Sequence, residues 1–143
     1  MESKTKNIPR LIIQIGHHLK MRMDENLSNN NLTMSQFKVL AYLWEYENKK
    51  INQKQIYEFL EIKPSSLTKL VKLLEAKGLI KKELDPDDAR NRIVKLTKKG
   101  MEIKQICILN IKEAENYLLK DFSQEEINKL LVLLLKIKEK INY

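Results

Sequence analysis

Apolar residues recur every three or four positions along almost the whole chain, a spacing that predicts helices and leaves room for little else. Ile8, Leu11, Ile12, Ile15, Leu19, Met23 and Leu27 make the first such stripe, an amphipathic helix over about residues 7–28. With only 3 glycines and 3 prolines in 143 residues, the chain lacks the turn chemistry of an all-β fold. The period changes once. From Ile80 to Leu84 and from Ile93 to Leu96 the pattern reads as two short strands enclosing a charged tip, Asp85 to Arg92. The expected class is mostly α with a small β-hairpin (α+β), in a single domain over residues 1–143.

Start and stop signals divide the helical part. Thr33 and Gln36 form a capping box ahead of Phe37, Leu40, Ala41, Leu43 and Trp44, predicting a second helix to about Glu47. Asn52 caps a short third helix carrying Ile56, Tyr57, Leu60 and Ile62. Pro64 stops that helix and opens a fourth, whose Leu67, Leu70, Val71, Leu73 and Leu74 are expected to face inward before Gly78 ends it. Thr97 caps a fifth helix expected to run unbroken to about Lys120, and Ser123 with Glu126 caps a sixth that continues to about Ile141. From Leu130 to Leu135 the sixth helix is apolar on nearly every side, and a chain this short has little left to cover it. The helices over about residues 7–28 and 98–143 are therefore expected to form a homodimer interface.

The formal net charge of +8 favours a polyanionic partner, either nucleic acid or an anionic membrane surface. Its distribution is uneven. Residues 50–99 hold 13 Lys and Arg against 7 Asp and Glu, +6 of the total, while the other 93 residues hold +2. Several classes drop out. The longest apolar run, Leu130–Leu135, is far short of the ~20 residues that span a bilayer. Cys107 is the only cysteine and no signal-like segment opens the chain, so the expected location is cytoplasmic. His17 and His18 are adjacent, which on a helix turns them ~100° apart, so no metal site is expected, and no cofactor. No nucleophile, base and orienting group stand in a recognisable set and no phosphate-binding glycine loop is present, so the chain is not expected to be an enzyme.

Helix three, a tight turn, helix four and the hairpin follow one another inside the basic segment, and that order constitutes a winged helix-turn-helix over about residues 33–99. The second helix of such a pair enters the major groove of double-stranded DNA with its N-terminal residues toward base edges. Here those residues are Ser65, Ser66, Thr68, Lys69 and Lys72, and residues 63–74 contain no acid. Ser and Thr can bond base edges or phosphates, and Lys can reach guanine acceptors or phosphates. On the wing, Arg90 suits the negative potential of an adjacent minor groove. Asp88, two residues earlier, is expected to hold the guanidinium in a bidentate pair.

The run from Ser65 to Lys82, followed by Asp85 to Gly100 with its Leu96-Thr97 and Gly100, resembles the MarR family of bacterial and archaeal transcriptional regulators. The resemblance extends over nearly the whole chain. It implies a homodimer, intertwined through its first, fifth and sixth helices, whose two winged lobes bind a pseudo-palindromic operator; the expected role is that of a repressor. It also implies that Arg90 is the wing arginine and Asp88 its partner. Family wings often carry two successive arginines; Ala89 stands at the first of these positions, with Arg92 available as a substitute. Release by a small aromatic or anionic effector, bound between the dimer helices and the DNA lobes, is a further implication, for which His17, His18 and Trp44 are the candidate residues. Peroxide-sensing members carry a cysteine in the first helix; Cys107 falls in the fifth and is expected to be a buried small hydrophobe. The competing reading is a winged-helix protein-interaction module without DNA binding, since the fold alone does not impose it.

Overall fold

Side chains that satisfy orphan helix-terminal groups set the frame of the molecule. The computed structural model describes residues 7–142. In chain order its elements are α1 (Ile8–Ser28), α2 (Met34–Glu45), α3 (Gln53–Leu60), α4 (Pro64–Ala76), β1 (Ile80–Asp85), β2 (Asp88–Leu96), α5 (Lys98–Glu102), α6 (Lys104–Leu119) and α7 (Gln124–Lys140). Thr33 and Gln36 cap α2 reciprocally, as do Asn52 and Gln55 on α3 and Ser123 and Glu126 on α7. Pro64 occupies the first turn of α4.

Three helices end in the same way. After α4, Gly78 is left-handed at φ 73°, its N–H donates to the Glu75 carbonyl, and the Leu79 N–H donates to the Leu74 carbonyl. The same pair of bonds closes α1 around Asn31 and α3 around Glu61, at φ 56° and 55°. Each stop returns a buried or half-buried side chain, Leu79, Leu32 or Ile62, to the core. Glu61 is a poor residue for that conformation, which costs a residue with a Cβ roughly 1–2 kcal/mol.

The chain divides into two compact units, Met1–Ile111 and Lys112–Tyr143. In the first, Leu27, Leu32, Val39, Leu40, Leu43, Trp44, Ile51, Ile56, Leu67, Val71, Leu74, Leu79, Ile80, Val94 and Cys107 form one buried cluster. The α4 stripe is narrower than its sequence implies: Leu67, Val71 and Leu74 are buried, Leu70 is half-buried, and Leu73 is exposed. Lys77, at the end of α4, donates to Gln36 Oε1 at 2.8 Å and to the Asn31 carbonyl, fastening that helix to the α1–α2 link.

Two expectations are corrected. The fifth helix is not continuous but breaks at Ile103, separating α5 from α6. An unbroken helix would offer the Gly100 carbonyl to the Lys104 N–H; here it accepts the buried Trp44 Nε1–H at 2.9 Å. The hairpin is also tighter than a tip of Asp85–Arg92 implies. Antiparallel pairing runs from Ile80 opposite Leu96 to Leu84 opposite Arg92, then resumes at Asp85 opposite Asp88, with only Pro86 and Asp87 outside the strands. Arg90 and Arg92 therefore stand on β2. On its other side β2 takes a bond from the chain before α3, the Val94 N–H donating to the Ile51 carbonyl at 2.7 Å.

In the second unit α7 has no buried residue, and Leu130 through Leu135 are each between 38% and 57% exposed. Among the described residues no helix is long and apolar enough to cross a membrane.

Candidate nucleic-acid interface

The exposed face of α4 follows from its burial pattern. With Leu67, Val71 and Leu74 turned inward, Ser65, Ser66, Lys69 and Lys72 are exposed and Thr68 is half-buried. No side chain caps this helix; its N-cap position is Lys63 and Pro64 has no N–H to satisfy. Because the Leu67 N–H already donates to the Lys63 carbonyl, the Ser65 and Ser66 amides are the open donors at the positive end of the helix dipole. The Thr68 hydroxyl donates to the Pro64 carbonyl at 3.0 Å. Its proton is thus committed, leaving it an acceptor toward any base or phosphate.

The pairing of cations separates this surface from the rest of the basic segment. Lys50, Lys54, Lys81, Lys82, Lys95 and Lys98 each meet an Asp or Glu within 4.0 Å. Lys63, Lys69, Lys72, Arg90 and Arg92 have no such partner among the described residues, and all five are exposed. The two remaining lysines of the segment, Lys77 and Lys99, bond backbone carbonyls, so its cations left without a bond stand at the N-cap and on the face of α4 and on the wing.

The expected Asp88–Arg90 ion pair is not formed. Asp88 Oδ1 instead accepts the backbone N–H of Arg90 at 3.0 Å, the short turn-forming bond that an Asp makes two residues ahead. Asp88 shapes the backbone and leaves the Arg90 guanidinium free. Arg90 and Arg92 line a groove of about 500 Å³ together with Asn52, Gln53, Lys54, Lys82 and Asn91. A second groove, about 390 Å³, brings Ser35 and Lys38 of α2 beside Ser66 and Lys69 over an apolar floor that includes Leu60 and Leu70. Sequence reading passed over Lys54 and Lys82 as undifferentiated charge, and missed Ser35 and Lys38 because they lie outside the segment whose charge stands out.

The residues expected to meet an effector lie apart from this face. Trp44 is buried, edge-on to Phe37 at 5.8 Å, with its indole N–H on Gly100. His17 and His18 are exposed on α1, their rings 5.6 Å apart. Cys107 is fully buried, and burial pushes its thiol pKa up, as suits an inert core residue.

Comparison with known proteins fits this geometry. The organic hydroperoxide resistance transcriptional regulator of Bacillus subtilis (strain 168) is 32% identical over 82 residues, covering 57% of this chain and 54% of that protein, so the chain spans about half of that relative's length. The regulator SarZ of Staphylococcus haemolyticus is 31% identical over 106 residues, 73% of this chain and 68% of that protein. Among solved structures, a mutant of Escherichia coli MarR complexed with operator DNA superimposes with a TM-score of 0.82 at 27% identity, covering 96% of this chain and 99% of that one. A family profile described as transcriptional regulator SarA/Rot matches residues 23–107. With these matches spread over helix-turn-helix, wing and flanking helices, the chain belongs to the SarA/Rot family of transcriptional regulators and is a winged-helix protein of the MarR type.

Proposed function

We propose that this regulator is a homodimeric repressor that binds double-stranded DNA sequence-specifically at a pseudo-palindromic operator, acts in the cytoplasm and catalyses no reaction. The observation that carries the reading is the unpaired charge: five exposed cations without ion-pair partners at the N-cap of α4, on its face and on the wing, in a segment whose other lysines, Lys77 and Lys99 aside, meet carboxylates. Cations left without carboxylates are free to displace counterions from phosphate, which is the main source of salt-dependent affinity for duplex DNA. In this reading Ser65 and Ser66, with their open amides, bond at the groove floor or rim, Lys69 and Lys72 reach phosphates or guanine, and Arg90 and Arg92 enter the minor groove. A lobe of this size reads half a site, so two copies would span half-sites ~34 Å apart.

The test is selection of bound sequences from random duplex DNA, followed by affinity measurements across a salt series. The wild type is expected to select a two-fold symmetric sequence. Lys69→Ala combined with Arg90→Ala should weaken binding at least ~10-fold and lower the salt slope by about two, one for each cation. Binding of the double variant with wild-type affinity and slope would remove this surface from consideration and favour the protein-interaction reading.

A further inference from the structure

Arg90 sits on the part of the hairpin that the strand ladder does not hold. Between the pairs Leu84–Arg92 and Asp85–Asp88, residues Ala89, Arg90 and Asn91 have no partner on β1. A three-residue span without ladder bonds, at the end of a two-stranded ribbon, would sample many directions, and ordering it on binding would cost affinity. Two carboxylates tie it down instead: Asp88 takes the Arg90 N–H locally, and Asp85 links the span to the rest of the lobe. Asp85, 8% exposed, accepts from Lys50 Nζ and from the Asp87 N–H through Oδ1, both at 2.9 Å, and from Asn91 Nδ2 through Oδ2 at 3.1 Å. Asn91 Oδ1 in turn accepts from Asn52 Nδ2 at 3.3 Å, and Asn52 is the N-cap of α3. Lys50 donates also to Asp87, so the tip is fastened to the link before α3 as well as to that helix. Three donors, Lys50 foremost, hold the Asp85 carboxyl at about 2, and it stays charged wherever the protein is folded near neutrality.

We propose that Asp85 is a positioning residue for operator recognition: through Lys50 and Asn91 it sets the wing against α3, so that Arg90 is presented in one direction before the duplex arrives. This rests on the DNA-binding reading above. Asp85 itself is enclosed by its own donors. Arg92 needs no such help, because it lies opposite Leu84 in the regular ladder.

A double-mutant cycle on the selected operator tests the role, with thermal melts run on every variant. Asp85→Ala is expected to weaken binding roughly tenfold without lowering the salt slope, since no cation is removed, whereas Arg90→Ala lowers both. In the Arg90→Ala background, Asp85→Ala should have little further effect. Lys50→Arg, which can still bridge two carboxylates, should bind like the wild type, while Lys50→Met, which leaves the bonds within the wing, should lose affinity at an unchanged slope. An Asp85→Ala loss as large in the Arg90→Ala background as in the wild type would show general support of the lobe and overturn the positioning role. So would wild-type affinity of Asp85→Ala when Arg90→Ala is impaired, with the DNA-binding reading left standing. Absence of salt-steep duplex binding by the wild type would overturn both.

Discussion

Asp85 and Asp88, three residues apart on the same hairpin, do different work, and the difference lies in what reaches each carboxylate. Asp88 takes one backbone N–H in an exposed turn, while Asp85 is enclosed by Lys50, Asn91 and the Asp87 amide. A carboxyl with its pKa depressed by native contacts stabilises the fold fully above its unfolded value of ~3.9, and that contribution is lost as pH falls toward the folded value. The melting temperature of Asp85→Asn is therefore expected to lie furthest below that of the wild type near pH 7, with the gap narrowing between pH 4 and pH 2. A gap that stays constant over that range would mean that the charge contributes nothing. Nothing in the sequence distinguishes these two aspartates, because the donors to Asp85 come from positions up to 35 residues away.

Two glycines show how far an element's ends can be read before it is packed. Gly78 closes α4 at positive φ with nothing within 4 Å of where a Cβ would stand, so Gly78→Ala should cost only the conformational penalty, about 1 kcal/mol. Gly100 lies within α5, and a Cβ there would come 2.1 Å from the Leu79 carbonyl oxygen, itself fixed by the Thr97 N–H. Gly100→Ala is expected to destabilise by more, about 1–3 kcal/mol, because backbone has to move. Thermal or urea melts of the two variants decide the order. The first role was legible from a glycine after an apolar stripe. The second is a close approach between segments about 20 residues apart, which no local pattern records. The capping pairs at Thr33, Asn52 and Ser123 were readable because a cap is a local hydrogen bond; the left-handed Glu61 was not, because its side chain gives no sign of it.

For the molecule in its working form, α7 is the decisive part. A helix with no buried residue and six consecutive apolar side chains, each at least 38% exposed, leaves a large area of hydrocarbon in water unless another surface covers it. In the proposed homodimer that surface is the second copy, and a two-fold interface places each substitution on both sides of it. Leu131→Glu with Leu134→Glu should convert the dimer to a monomer by sedimentation equilibrium and abolish tight binding to the two-half-site operator, while a single half-site is bound as weakly as before. A dimer unaffected by the two glutamates would place the interface elsewhere.

By itself, the amino-acid order determined where most helices start, their side-chain caps, the presence of the hairpin and the basic segment, since each depends mainly on residues near one another in the chain. It also placed Ser65, Ser66, Lys69 and Lys72 on one exposed face, because helical periodicity and a buried stripe leave no other choice. The tertiary structure decided which cations are paired and which are free, that Asp88 holds backbone and not the Arg90 guanidinium, that Trp44 belongs to the core, and that Asp85 joins the wing to α3. Those outcomes depend on donors and acceptors brought together from distant parts of the chain, and charge, unlike helical period, carries no record in sequence of what it will face.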